Sequence, residues 1–88
     1  MKTNEQVKDW LKELKAERRD LVTKQMAYGN TGAINALKWV LAGTRSEEEV
    51  RLKLNEVQVS ANEAITDELA SVAYGAMAEA LRWVLRAD

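Results

Sequence analysis

Ala36-Leu37-Lys38-Trp39-Val40-Leu41 and Ala80-Leu81-Arg82-Trp83-Val84-Leu85 are one hexapeptide written twice, with lysine in the first copy and arginine in the second. Upstream of each stands the same tripeptide, Ala27-Tyr28-Gly29 and Ala73-Tyr74-Gly75. Each half opens on a capping-box pattern, Thr3-Asn4-Glu5-Gln6 and Ser46-Glu47-Glu48-Glu49. The three landmarks repeat at offsets of 44, 46 and 43 residues. So steady a spacing marks diverged copies of one helical unit, with small insertions between landmarks. The expected architecture is all-α: a helical bundle of three or four helices built from an internal duplication. It forms a single domain over 1–88, with repeat-like halves 3–43 and 46–86.

Composition supports helices and removes many chemistries. Proline is absent, glycine occurs four times, and Ala, Leu, Glu, Lys and Arg dominate. No sustained alternation or Asn-Gly turn suggests a strand pair. The chain has neither cysteine nor histidine. That excludes disulfides, an ordinary zinc site, Ser-His and Cys-His nucleophiles and imidazole pH sensing. An enzyme would have to work with carboxylates, Lys, Tyr or Ser, and no pair of these converges at a readable spacing. No enzymatic activity, cofactor or metal is therefore expected. The residues after Lys2 are polar where a signal peptide would be apolar, and apolar runs are far shorter than a membrane span. The expected location is the cytoplasm, away from membranes.

Helix boundaries follow from caps and breakers. Thr3 predicts a first helix over about 4–28, with Val7, Trp10, Leu11, Leu14, Leu21, Val22 and Tyr28 on its apolar stripe. Gly29-Asn30-Thr31-Gly32 reads as a stop and a new cap, and a short helix is expected over 33–42. Gly43-Thr44-Arg45 reads as a second stop. From 47 to 86 only Gly75 interrupts, yet the apolar stripe rotates by about 100° near 60–69. Ser60-Ala61-Asn62-Glu63 and Thr66-Asp67-Glu68 both look like helix starts there, so this helix is expected to kink or divide.

Charge is unevenly shared. Residues 1–45 carry nine basic and five acidic side chains, a balance of +4; residues 46–88 carry four and nine, a balance of −5. Halves of opposite sign attract, which favours antiparallel packing within a chain or pairing between two. A twofold homodimer is the expected assembly.

The candidate binding residues each have a bland counterpart. Lys8, Lys12, Lys15 and Arg19 form a basic stripe that could follow a phosphate backbone, although an acidic stripe flanks it and the net charge is −1. Glu47-Glu48-Glu49 could bind a cation, but acids in a first turn ordinarily complement the helix dipole. Arg18 falls within an apolar stripe, where it either pairs with a carboxylate across an interface or snorkels to solvent. Trp39 points roughly 100–140° away from the apolar face centred on Leu37 and Val40. Trp83 repeats that relation to Leu81 and Val84. A large ring off the main stripe serves a second buried face or anchors a partner. Trp39, Trp83, Tyr28, Tyr74 and Arg18 are therefore the expected interface residues.

The phrase Ala36-Leu37-Lys38-Trp39-Val40-Leu41-Ala42-Gly43, after a charged amphipathic helix, resembles the endings of small helical proteins encoded by bacteriophages and prophages. The second copy ends in Arg86-Ala87-Asp88 and lacks the glycine. The resemblance implies a phage accessory protein in the host cytoplasm that binds and blocks a host protein such as a defence effector. A small nucleic-acid-binding regulator using the basic stripe is the alternative.

Overall fold

The Thr3 hydroxyl accepts the Gln6 backbone N–H at 3.2 Å, and the Gln6 side chain accepts the Thr3 N–H at 2.9 Å. This reciprocal cap starts α1 (Asn4–Glu17). The same arrangement of Ser46 and Glu49 starts α3 (Glu47–Glu63). In this computed structural model residues 1–43 and 45–86 are described, and they are all-helical, with α2 (Lys24–Leu41) and α4 (Glu68–Leu85) completing four α-helices. The second stop, Gly43-Thr44-Arg45, and the closing Arg86-Ala87-Asp88 lie partly outside the described residues, at Thr44 and at Ala87 and Asp88.

The first half divides at a different place from the one the sequence suggested. The first helix does not run to Tyr28. It ends at Glu17, tightens into a 3-10 turn (Arg18–Asp20), and α2 begins after Thr23. Thr23 is extended, with its hydroxyl accepting the Met26 N–H at 3.1 Å. Val22 and Thr23 are β-branched neighbours that resist helix, and a threonine hydroxyl suits a cap. The expected stop at Gly29-Asn30-Thr31-Gly32 is the interior of α2, and no described glycine has positive φ. These glycines serve packing. A Cβ on Gly32 would stand 2.2 Å from the Ala73 carbonyl oxygen of α4. The two backbones touch there.

The second half divides as expected. Ala64 to Asp67 form the turn, and the Asp67 carboxylate caps α4 by accepting the Ala70 N–H at 3.1 Å. Ser60 starts nothing; it lies inside α3, where its carbonyl accepts the Ala64 N–H.

Helices α2 and α4 form the centre and run parallel. Gln25 hydrogen-bonds Glu68 at one end, Gly29 meets Val72 and Ala76, and Ala36 lies near Leu81 further along. The outer helices run against them. On one side Trp10 and Leu14 of α1 lie near Trp83 and Ala76 of α4. On the other, Lys53 and Val57 of α3 lie near Trp39 and Asn35 of α2. Val7, Leu11, Ile34, Leu37, Val50, Val57, Leu81 and Val84 fill the core between the helices. Val22, expected on the apolar stripe, is 84% exposed because the chain leaves the helix before reaching it.

Candidate interaction site between the central helices

Because α2 and α4 are parallel and nearly in register, the two Ala-Tyr-Gly tripeptides arrive on the same side of the molecule. Tyr28 and Tyr74 line one open groove with Thr31, Gly32, Ala73 and Met77. Its volume is about 380 Å³, and its lining is mostly apolar. That is the size and character of sites that accept a small ligand or a partner's side chains. Gly32 and Ala73 keep the floor low because neither carries bulk above the backbone contact. Tyr28 is 45% exposed and Tyr74 half-buried. Neither hydroxyl has a hydrogen-bond partner among the described residues, so each ring offers an apolar body with a polar tip available.

Arg18 belongs to the same neighbourhood. It lies exposed on the 3-10 turn, and its guanidinium donates to the Thr31 hydroxyl at 3.4 Å. Two of the five expected interface residues, Tyr28 and Tyr74, therefore line one groove, and Arg18 touches it only through Thr31. The carboxylate partner considered for Arg18 is replaced by a hydroxyl.

The tryptophans go elsewhere, and they do so as a pair. Trp83 of α4 packs on Trp10 of α1 with ring centroids 4.6 Å apart and planes tilted by 58°. The Lys2 ammonium lies 5.1 Å from the same ring. Trp39 of α2 lies against α3, with the Arg45 guanidinium 4.2 Å and the Lys53 ammonium 5.5 Å from its ring. Arg45 also donates to the Trp39 carbonyl at 3.0 Å. Each tryptophan thus leaves its own helix stripe to reach the outer helix of the other half. Both are half-buried; Trp39 is met by two cations and Trp83 by one, a contact worth about 0.5–1 kcal/mol at exposed sites. Trp10, Arg45 and Lys53 were not legible as their partners from spacing alone. The one available signal was that Trp10 also sits at the edge of its helix stripe.

The basic stripe is on the surface. Lys8, Lys12, Lys15 and Arg19 are all exposed, and among the described residues the ion pairs lie elsewhere, within 45–56. Glu47, Glu48 and Glu49 form the first turn of α3, where Glu49 caps Ser46 and Glu47 accepts from Arg51 at 2.8 Å. That hydrogen bond, aided by the guanidinium charge, holds the Glu47 carboxyl below the usual carboxylate range. Among the described residues no cluster of acidic side chains could hold a metal ion, and no helix is long and apolar enough to cross a membrane.

One buried polar group ties the outer helix to the centre. Asn30 is only 6% exposed, and its amide donates to the Leu14 carbonyl at 2.8 Å. Leu14 lies in the last turn of α1, where carbonyls begin to lose helical partners, so the bond helps close that helix. No protein-family model matches the chain, and comparison with curated proteins and with solved structures found no match either.

Proposed function

We propose that this chain is a non-enzymatic helical interaction protein that binds a partner protein in the groove between α2 and α4. In the setting suggested by its resemblance, it is a phage accessory protein that blocks a host defence protein in the host cytoplasm. The supporting observation is the convergence of Tyr28 and Tyr74, from two different helices, on one apolar groove. Tyrosine is among the residues that dominate binding energy at interfaces, because a rigid ring buries much area at little entropic cost. The groove runs along two parallel helices, so an apolar helix face with side chains at i, i+3 and i+7 fits it best. Arg18 at the rim suits an acidic residue beside that apolar row.

Affinity capture from host lysate with the wild-type chain and the double variant Tyr28→Ala/Tyr74→Ala, run side by side, tests this reading. A protein retained by the wild type and lost with the variant, with helicity unchanged, is the expected result. Equal retention by both chains would rule out the groove. Salt-steep binding of generic DNA or RNA, lost when Lys8, Lys12 and Lys15 are neutralised, would favour the regulator reading instead.

A further inference from the structure

The outer face of α3 carries a second surface, separate from the tyrosine groove. On a helical wheel Leu52 and Val59 lie within about 20° of each other and roughly 140–180° from the buried Val50 and Val57. They are 58% and 55% exposed, two turns apart, on the side turned away from the core. Glu48, Glu56 and Glu63 surround them at neighbouring azimuths, and all three are exposed. Lys53 pairs with Glu56 at 3.7 Å and lies at the core-facing edge, while Arg51 is taken by Glu47. The result is an apolar row inside an acidic rim.

The same chain presents the complement. Lys8, Lys12 and Lys15 on α1 are exposed and occupy one narrow azimuth beside its buried Val7, Leu11 and Leu14. Lys8 and Lys15 stand seven residues apart, as do Glu56 and Glu63, and as do Leu52 and Val59. The α1 of the same molecule does not cover this face, since Leu52 and Val59 point outward and are open. Two α3 faces laid together would set Glu48, Glu56 and Glu63 against their own copies, which repel.

We propose that the outer face of α3 docks the lysine stripe of α1 from a second copy of this chain. The lysine stems cover Leu52 and Val59, and their ammonium groups reach the glutamate rim. Because α1 and α3 lie on opposite sides of α2 and α4, such contacts join copies head to tail, each copy giving its α1 to the α3 of the next. Exposed ion pairs are individually weak and are screened within about 10 Å at ordinary ionic strength. Association is therefore modest and strongly salt-dependent.

Sedimentation equilibrium on the full chain, from micromolar to sub-millimolar concentration at low and high salt, tests the proposal. The expected result is a mass that rises above the monomer with concentration at low salt and returns to it at high salt. Charge reversal on α1 (K8E/K12E/K15E) and on α3 (E48K/E56K/E63K) should each weaken self-association by tenfold or more. Mixing the two variants should restore it, because each wild-type face then meets its complement and so does each reversed face. The milder variant L52Q/V59T keeps every charge and should also weaken association, so it carries the test if a reversal variant loses helicity. A wild-type chain that stays monomeric at low salt overturns the proposal. So does a mixture of folded variants that fails to associate, or L52Q/V59T associating like the wild type.

Discussion

Replacing Gly32 with alanine tests the central feature of the fold, the backbone contact between α2 and α4. A Cβ there would lie 2.2 Å from the Ala73 carbonyl oxygen and 2.9 Å from its carbonyl carbon. Ordinary C···O approaches are about 3.3 Å, so the helices would have to separate by about 1 Å. Both opposing atoms are backbone in a helix, so no side chain can swing away to relieve the overlap. Alanine gains about 1 kcal/mol of helix propensity over glycine. Overpacking of this kind costs about 1–3 kcal/mol and sometimes more, and a parted interface adds roughly 24 cal/mol per Å³ of void beside Leu37 and Leu81. Net of propensity, overpacking leaves up to about 2 kcal/mol, and a void of roughly 40 Å³ adds about 1, so the expected loss is about 2–3 kcal/mol. For a domain of this size that lowers Tm by roughly 10–20 °C. Urea unfolding followed by far-ultraviolet circular dichroism should show a lower midpoint with an unchanged slope. Gly29→Ala, three residues earlier in the same helix, is the control. Its Cβ would meet Val72 Cγ1 at 3.5 Å, an ordinary contact, so propensity should prevail and stability should hold or rise. Should Gly32→Ala match or exceed the wild type, the close approach of α2 and α4 is wrong.

Gly75→Ala is expected to stabilise by about 0.5–1 kcal/mol, because the site is mid-helix with nothing within 4 Å of a new Cβ; a lower Tm would contradict the position of α4. Trp83→Ala should cost about 3 kcal/mol or more by stripping the Trp10 ring of its partner and loosening α1 from α4, visible as lost near-ultraviolet dichroism and earlier melting. Asn30→Ala should cost about 1–2 kcal/mol, since the Leu14 carbonyl loses a buried donor; an unchanged urea midpoint would remove that bond from the account. Arg51→Gln should return the Glu47 carboxyl toward its ordinary value, read by carboxyl NMR titration. The sign follows from linkage: a depressed carboxylate stabilises above its unfolded pKa, and that contribution fades as pH falls through the lower folded value.

What the sequence determined by itself is local and additive. Thr3 with Gln6, and Ser46 with Glu49, satisfy helix N–H groups from within four residues, so α1 and α3 begin where those patterns stand. The rotated apolar stripe near 60–69 likewise required a change of direction, and Asp67 supplied the cap for it. An all-helical chain follows from a composition rich in Ala, Leu, Glu, Lys and Arg and free of proline.

What only the tertiary structure decided concerns partners distant in the chain. Gly29 and Gly32 read as breakers, since glycine is poor in an isolated helix, yet they lie inside α2 because the Ala73 backbone of α4 needs the space above Gly32. The break at 18–23 interrupts an apolar stripe that continues through Leu21, and the Asn30–Leu14 bond that ties the end of α1 to α2 spans sixteen residues, beyond what local spacing records. The repeated tyrosines and tryptophans looked alike as candidate interface residues. Parallel packing of α2 and α4 sent the tyrosines together to one groove and the tryptophans outward to opposite helices. Helix caps are set by nearest neighbours along the chain, whereas the face a side chain presents depends on which helix lies beside it, and spacing carries no record of that.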